Sequence, residues 1–199
     1  MKISIHILIL ALLITSCTST MNEKIHPVES FADIAKEINT MADNDQKKRL
    51  RGMNSQAVDE KNTLRMKHII RSMGWPTIGK VGEQASYNAW LLVQHADHDR
   101  VFQKECLGLM RHSVDDIAQE NIAYLTDRIL QAEGKPQLYG TQFVQSAESD
   151  PKWQPYTIED AANVDIRRKE IGLQPLKDYA ESINTLYAKI GKSPEPDNN

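Results

Sequence analysis

The sequence predicts a mainly α-helical bundle of about six or seven helices, with a short β-hairpin or extended arm near residues 138–157. Two observations predict the helices: apolar residues recur at three- and four-residue spacing, and glycine or proline follows most periodic segments. A third predicts the β element, because residues 138–144 alternate loosely and are rich in strand-forming types. The sequence contains no internal repeat and no glycine-rich phosphate loop.

The N-terminal run MKISIHILILALLITSC predicts export to a bacterial cell envelope. Its apolar part is shorter than the roughly 20 residues that a membrane-spanning helix needs, which favours a secretory signal peptide. Its last four residues, ITSC, resemble the lipobox of bacterial lipoproteins. By that resemblance we expect a signal peptide over 1–16, palmitate and other acyl chains on Cys17, and a tether over 17–28. Thr18 favours the outer membrane, facing the periplasm; the alternative is an ordinary signal peptide with a chance cysteine.

Helical periodicity predicts the helices in turn. The first runs from Ser30, which can form a capping-box-like pair with Asp33, to Arg51. Four more follow from the same kind of spacing and end signals. Three of them are predicted at 58–73, 81–96 and 114–133, the last capped by Ser113 with Asp116. The other lies between 81–96 and 114–133 and begins after a cap at Asp97 or Asp99.

The C-terminal part continues this pattern after the β element. Helical signals return over 160–171, and Pro175 can open a last helix that ends near residue 190. Residues 191–199 are polar and rich in proline, so we expect a disordered tail. One helical domain is therefore expected over 29–190.

Composition excludes one class of partner. The chain carries 24 Lys and Arg against 27 Asp and Glu, a formal net charge of −3, and no basic patch is dense enough to predict nucleic-acid binding. The densest basic run, KKRLR at 47–51, spreads around its helix and is interpreted as a solvated face. Cys106 lies on the apolar side of its predicted helix, which indicates a core thiol rather than a nucleophile.

Polar residues on the apolar faces of the predicted helices are the main functional signal. On a wheel of about 100° per residue most of them share a stripe with Ile, Val, Leu and Met, whereas Asp59 lies near the edge of its stripe and His95 just beside its main face. A buried charge without a partner is costly, so these groups are expected to meet one another or a ligand. Each of them alone also fits a stripe that reaches solvent at a helix end. The set is Asp45, Arg49, Asp59, Asn62, His95, Asn121 and Arg128.

Two blocks, GWPTIGKVGEQASYNAWLLVQHAD and AYLTDRILQAEGKPQLYGTQF, resemble a family of uncharacterised bacterial proteins, some of them lipoproteins, described as a domain of unknown function. The similarity extends to DNDQKKR, VDEKNTLR and VDIRRKEIGLQPL and covers most of the chain after the signal. The resemblance implies no activity. It implies recurrent polar positions at Asp45, Gln46, Arg49, Asp59, Asn62, Gln94, His95, Asp127, Arg128, Tyr139, Thr141, Gln142, Arg167 and Arg168.

His95 is the best candidate for acid–base catalysis, with Asp45, Asp59 or Asp127 as the carboxylate that orients its ring. Of these carboxylates we place Asp127 with His95 as the catalytic pair. The expected ligand-binding residues are Asp45, Arg49, Asp59, Asn62, Gln94, Arg128, Tyr139 and Gln142.

Two neighbouring features leave alternatives open. Tyr139 and Gln142 could close a pocket over His95, or their segment could be a strand packed on the bundle. His95 and His98 have the i,i+3 spacing of metal ligands, but the helix is expected to end between them, and we predict no metal and no cofactor.

Three functions remain open from the sequence. The first is a lipid-anchored periplasmic domain whose inward-facing polar cluster binds a small anionic or polar ligand, or a protein partner. The second is a hydrolase-like enzyme that uses His95 with an aspartate as acid and base. The third is a toxin-neutralising (immunity) lipoprotein, which needs no catalytic group; the polar set could also be purely structural.

Overall fold

The computed structural model describes residues 29–53, 55–145 and 152–190. The predicted signal peptide, Cys17, the tether and the C-terminal tail lie outside the described residues. The fold is mainly helical with a small antiparallel sheet, as the sequence predicts. None of the helices in the described ranges is long and apolar enough to cross a membrane. The elements are α1 (Phe31–Leu50), α2 (Gln56–Met73), α3 (Ile78–Val81), α4 (Glu83–Gln94), α5 (Arg100–His112), α6 (Glu120–Ala132), β1 (Phe143–Gln145), β2 (Trp153–Pro155), α7 (Val164–Glu170) and α8 (Leu176–Ile190).

Helix α4 is the central helix of the bundle and packs against α1, α2, α3, α5 and α6. Its sequence explains this place, because apolar and small residues cover most of its circumference. Ala89 and Val93 are 0% exposed, and the buried ring of Trp90 meets Tyr124 of α6 edge-on. The central position brings the C-terminal end of α4, and with it His95, against α1.

Several helix ends follow the signals in the sequence. Ser30 Oγ accepts the N–H of Asp33 at 3.1 Å and donates to its carboxylate at 2.6 Å, which is the expected cap of α1. Asp99 caps α5 by accepting the N–H of Phe102 at 3.0 Å. Helix α2 ends at Met73 and is capped by Gly74, whose φ of 73° is outside the helical region.

The third predicted helix, 81–96, is divided in the structure. Gly82 has a φ of 80°, so it separates the single turn of α3 from α4. Helix α4 ends at Gln94, and His95 follows as its C-cap.

The predicted helix at 114–133 is broken, so this prediction is wrong. A short 3-10 turn precedes Ile117, whose backbone is extended at φ −145° and ψ 164°, and α6 starts three residues later. Ile117 is buried in the core. Asp116 does not form the expected cap with Ser113; it accepts the N–H of Gly79 in α3 at 2.8 Å. Tertiary contacts therefore override the helical periodicity at this point.

The predicted hairpin is present. Strands β1 and β2 pair antiparallel, with Val144 opposite Gln154. Helix α8 covers β2, because the ring of Trp153 stacks on Tyr187 with centroids 4.1 Å apart. The Asn184 side chain accepts the N–H of Trp153 at 2.9 Å and donates to its carbonyl at 2.8 Å.

Candidate functional site

A buried carboxylate of α1 holds the ring of His95. The Nδ1 atom of His95 lies 2.8 Å from Oδ2 of Asp45, whose side chain is 0% exposed, against 16% for His95. An ionised carboxylate only accepts hydrogen bonds, so Nδ1 carries the proton of this bond. Nε2 has no hydrogen-bond partner within the described part of the chain. It is therefore the ring atom that is free to meet a ligand.

Arg49 joins Asp45 to the second helix. Its Nε donates to the two carboxylate oxygens of Asp45 at 3.1 and 3.2 Å, and its Nη2 donates to Asp59 at 2.5 Å. Asp59 also accepts the hydroxyl of Ser55 at 3.1 Å. The structure thus brings together four of the predicted residues, Asp45, Arg49, Asp59 and His95.

The Asp45 carboxyl stays ionised at neutral pH. Burial alone raises its pKa, but the hydrogen bonds and charges of His95 and Arg49 outweigh burial and lower the pKa from 3.8 to about 2. Gln46 donates a further N–H to the same carboxylate at 2.9 Å. A negative charge beside Nδ1 therefore fixes the orientation and the protonated nitrogen of the His95 ring.

A cleft of ≈ 260 Å³ opens beside this group of side chains. Ligand pockets for drug-sized molecules measure about 300–1,000 Å³, so this cleft suits a smaller molecule. Donors, acceptors and charges of both signs surround it. The lining residues are Arg49, Ser55, Gln56, Asp59, His95, Asp97 and His98.

Arg128 holds Asp97, which forms another wall of the cleft. Its Nε and Nη2 donate to the two oxygens of that carboxylate at 2.8 and 2.5 Å, a bidentate pair. Burial raises the pKa of Asp97, but Arg128 outweighs burial, and the pKa is lowered. The Nη1 of Arg128 lies 3.5 Å from the side-chain oxygen of Gln142. Arg128 and Gln142 therefore support the cleft wall and do not join the group around His95.

Some residues that shape the cleft are not predicted from the sequence. Gln103 is 0% exposed and donates to the carbonyls of Val93 and Gln94 at 3.1 and 3.2 Å, which closes the end of α4. From the sequence, Asp97 is expected to be a helix cap, and His98 is considered only as a candidate metal ligand. The signal that could have identified both is the run HADHD, a set of charged groups directly after a buried helix.

Asp127 has partners other than His95, which corrects the expected catalytic pair. Its carboxylate is 0% exposed and accepts the N–H groups of Leu138, Tyr139 and Thr141 at 2.8, 3.1 and 2.9 Å. The Thr141 hydroxyl donates to it at 3.0 Å. Burial raises the pKa of Asp127, and these bonds offset that effect only in part. The role of Asp127 is to hold the loop that leads into β1.

Two arginines hold the same loop from the other side. Arg168 is 0% exposed, and its Nη1 and Nε donate to the carbonyls of Tyr139 and Gln174 at 2.6 and 2.7 Å. Its guanidinium lies over the ring of Tyr179, and burial lowers its pKa. Arg167 Nε donates to the carbonyl that precedes Tyr139 at 2.7 Å. These polar residues therefore stabilise the loop and do not line the cleft.

Four other expected residues also lie away from the cleft. Asn62 is 6% exposed and borders a groove between α1 and α2. Gln94 and Asn121 are 6% and 5% exposed and are absent from the cleft lining. Tyr139 contributes its backbone to the loop described above. Within the described residues, no side-chain hydrogen bond joins any of these four to the ring of His95, although Gln94 precedes His95 in sequence.

Asp45, Asp59 and His95 are close enough to share a cation, since each offers a ligand atom and these atoms lie within 4.8 Å of one another. The guanidinium of Arg49 already bonds to both carboxylates. A metal ion would have to displace that charge or sit beside it, which is unfavourable. The arrangement is therefore better suited to orienting the ring of His95 than to holding a metal.

A family model described as a family of unknown function (DUF6624) matches residues 23–191. No curated protein and no solved structure matches the chain.

Proposed function

The chain belongs to the family of unknown function DUF6624, and we propose that it binds a small polar substrate in the cleft beside His95 and transfers a proton at that histidine. The observation that carries the proposal is the pair of Asp45 and His95, 2.8 Å apart, which leaves Nε2 without a protein partner in the described ranges. A carboxylate that orients a histidine in this way is the usual arrangement of a general base. The proposal places ligand binding and acid–base catalysis at one site.

Each side chain of the cleft has a distinct part in this proposal. Nε2 of neutral His95 accepts a proton from a substrate hydroxyl, or from a water molecule that attacks the substrate. The imidazolium that forms is stabilised by ionised Asp45 and returns the proton to the leaving group. Arg49, 32% exposed at its side chain, offers its remaining N–H groups to an anionic or carbonyl oxygen of the substrate. General acid–base catalysis of this kind contributes about 10²–10⁴ in rate.

The proposed location is the periplasmic face of the outer membrane, with a lipid anchor at Cys17. It is supported by the apolar N-terminal run and its ITSC end. We expect the wild-type protein to incorporate palmitate and the variant Cys17→Ser to incorporate none. A wild-type protein without label that fractionates with the cytoplasm would rule out this location.

The test of the catalytic proposal does not require a known substrate. Purified wild-type and His95→Gln proteins are incubated with a polar metabolite extract of bacterial cells, and the compounds are followed by mass spectrometry. Glutamine keeps a hydrogen bond to Asp45 but cannot shuttle a proton. We expect at least one polar compound to disappear with the wild-type protein and to react at least about 100-fold more slowly with the variant.

The matched control is His68→Gln, because His68 is an exposed histidine on α2 that does not line the cleft. It should consume the compound at the wild-type rate. Unfolding of all three proteins in urea shows whether any loss of activity comes from loss of the fold. A compound consumed equally by the wild-type and His95→Gln proteins, or none consumed by either, contradicts proton transfer at His95.

A further inference from the structure

A second cavity lies between α1 and α2. This groove measures ≈ 810 Å³, within the range of about 300–1,000 Å³ that is usual for ligand pockets. Helix α4 packs against both α1 and α2 but contributes no residue to the lining, so the groove faces away from it. Met41, Ala57 and Val58 supply its apolar surface, together with the hydrocarbon stems of the lysines beside them.

The charged residues of this groove are almost all basic, in a chain whose formal net charge is −3. Arg65 is neutralised, since it pairs with Glu37 and Glu29 at 2.6 and 2.7 Å. The other basic residues form no ion pair with any part of the chain that the structure describes. They are Lys47, Lys48, Arg51 and Lys61. Like charges gathered on one surface repel each other, and an anion bound among them relieves that repulsion.

Asn62 gives an independent indication of a ligand. It lines the groove and is 6% exposed, yet its amide nitrogen Nδ2 has no hydrogen-bond partner among the described residues. A buried donor without an acceptor is destabilising, because it has lost its hydrogen bonds to water and gained none in the protein. An oxygen acceptor seated at this depth of the groove would remove that destabilisation after a rotation of the amide.

We propose that the groove between α1 and α2 binds a fatty acid, a single-chain anionic amphiphile. The acyl chain lies on Met41, Ala57 and Val58, and the anionic head group meets the unpaired cations around Lys47 and Lys61. Both parts are needed to match the groove, because a small inorganic anion leaves the apolar surface uncovered and a neutral lipid leaves the cations unpaired.

This site is independent of the cleft at His95. The two cavities share no lining residue, although both lie between residues of α1 and α2. Lys48 and Arg49 are neighbours in sequence, but Lys48 lines the groove and Arg49 lines the cleft. Variants of the groove therefore test it without altering Asp45 or His95.

The experiment measures binding of the fluorescent fatty acid cis-parinaric acid and its displacement by palmitate. The full chain carries Cys17→Ser, so that no acyl group of its own competes. The test variant is Lys47→Gln/Lys61→Gln, and the matched control is Lys169→Gln/Lys177→Gln, which removes the same charge from exposed positions on α7 and α8. A third variant, Val58→Trp, fills the apolar part of the groove.

Saturable binding should weaken about fivefold or more in Lys47→Gln/Lys61→Gln and should remain unchanged in the control pair. Val58→Trp should weaken it by about tenfold or more, since the bulky ring occupies the path of the acyl chain. Monopalmitoylglycerol, which has the chain without the charge, should displace the probe poorly, and inorganic phosphate should not displace it.

Three results would overturn the proposal. The first is no saturable binding of the fatty acid, and the second is equal affinity of the test and control pairs. The third is a protein that binds vesicles containing phosphatidylglycerol but from which palmitate does not displace the probe. That result would indicate a surface that binds membranes instead of a groove that binds single acyl chains.

Discussion

Replacing Arg49 by alanine tests whether Asp45, Arg49 and Asp59 form a stabilising network of ion pairs or only a solvated helix surface. The change removes the only group that bonds both Asp45 and Asp59 in the structure described here. Asp45 is 0% exposed and would keep only His95 and Gln46 as donors. A buried carboxylate that loses its cation is the physical reason to expect a large effect.

The magnitude follows from burial. Breaking a fully buried ion pair by removing one partner costs about 3–5 kcal/mol. The Arg49 side chain is 32% exposed, so water replaces part of what the guanidinium supplies. We expect Arg49→Ala to lower the free energy of unfolding by about 2–3 kcal/mol, or the melting temperature by about 4–12 °C.

Urea unfolding, followed by far-UV circular dichroism and by the fluorescence of the buried Trp75 and Trp90, measures the change. Lys47→Ala is the matched control, because it removes an exposed basic residue half a turn earlier on α1 and changes no ion pair. It should shift the free energy of unfolding by less than about 0.5 kcal/mol. Equal and small effects of the two substitutions would refute the reasoning.

Two further predictions concern the dependence of stability on pH and the backbone strain at a glycine. The folded pKa of Asp45, about 2, is below its unfolded value of 3.8, so its contribution of about 2 kcal/mol is present above pH 4 and is lost as pH falls towards 2. Asp45→Asn should therefore flatten the dependence of unfolding free energy on pH in this window. Gly140→Ala should lower the free energy of unfolding by about 2–3 kcal/mol, because the φ of Gly140 is 68° and the new Cβ would lie 2.7 Å from Ile158 Cδ1. Gly172→Ala is the control in the same urea assay: its φ is 79°, but open space surrounds the new Cβ, so the loss should be about 1 kcal/mol.

Much of the fold follows from local signals. The periodicity that begins at Ser30 and the cap at Asp99 predict helices that the structure confirms. The break at Ile117 could not be predicted, because its cause is a contact between distant parts of the chain. Asp116 bonds to Gly79, which is 37 positions earlier, and no pattern within a single helix reports that bond.

The site was predictable only in part. A helical wheel shows that Asp45 and Arg49 face inward. It gives the direction of a side chain around the helix axis, but not which residue of another helix that side chain contacts. On α2 the wheel places Asn62 inside the apolar stripe and Asp59 near its edge, but it does not show that Asp59 meets Arg49 and that Asn62 borders the groove. Asp127 illustrates the same limit, since its partners are backbone N–H groups that no pattern of side chains reveals.

The tautomer of His95 is the most direct test of the central claim that Asp45 orients this ring and leaves Nε2 for the cleft. Long-range ¹H–¹⁵N correlation of the histidine rings, assigned with the His95→Gln variant, reports which nitrogen is protonated on the alkaline side of the ring titration. We expect the proton on Nδ1, an unprotonated Nε2, and a loss of that preference in Asp45→Asn. A wild-type ring that carries its proton on Nε2 would contradict the pairing, and with it the proposed role of His95 as the base.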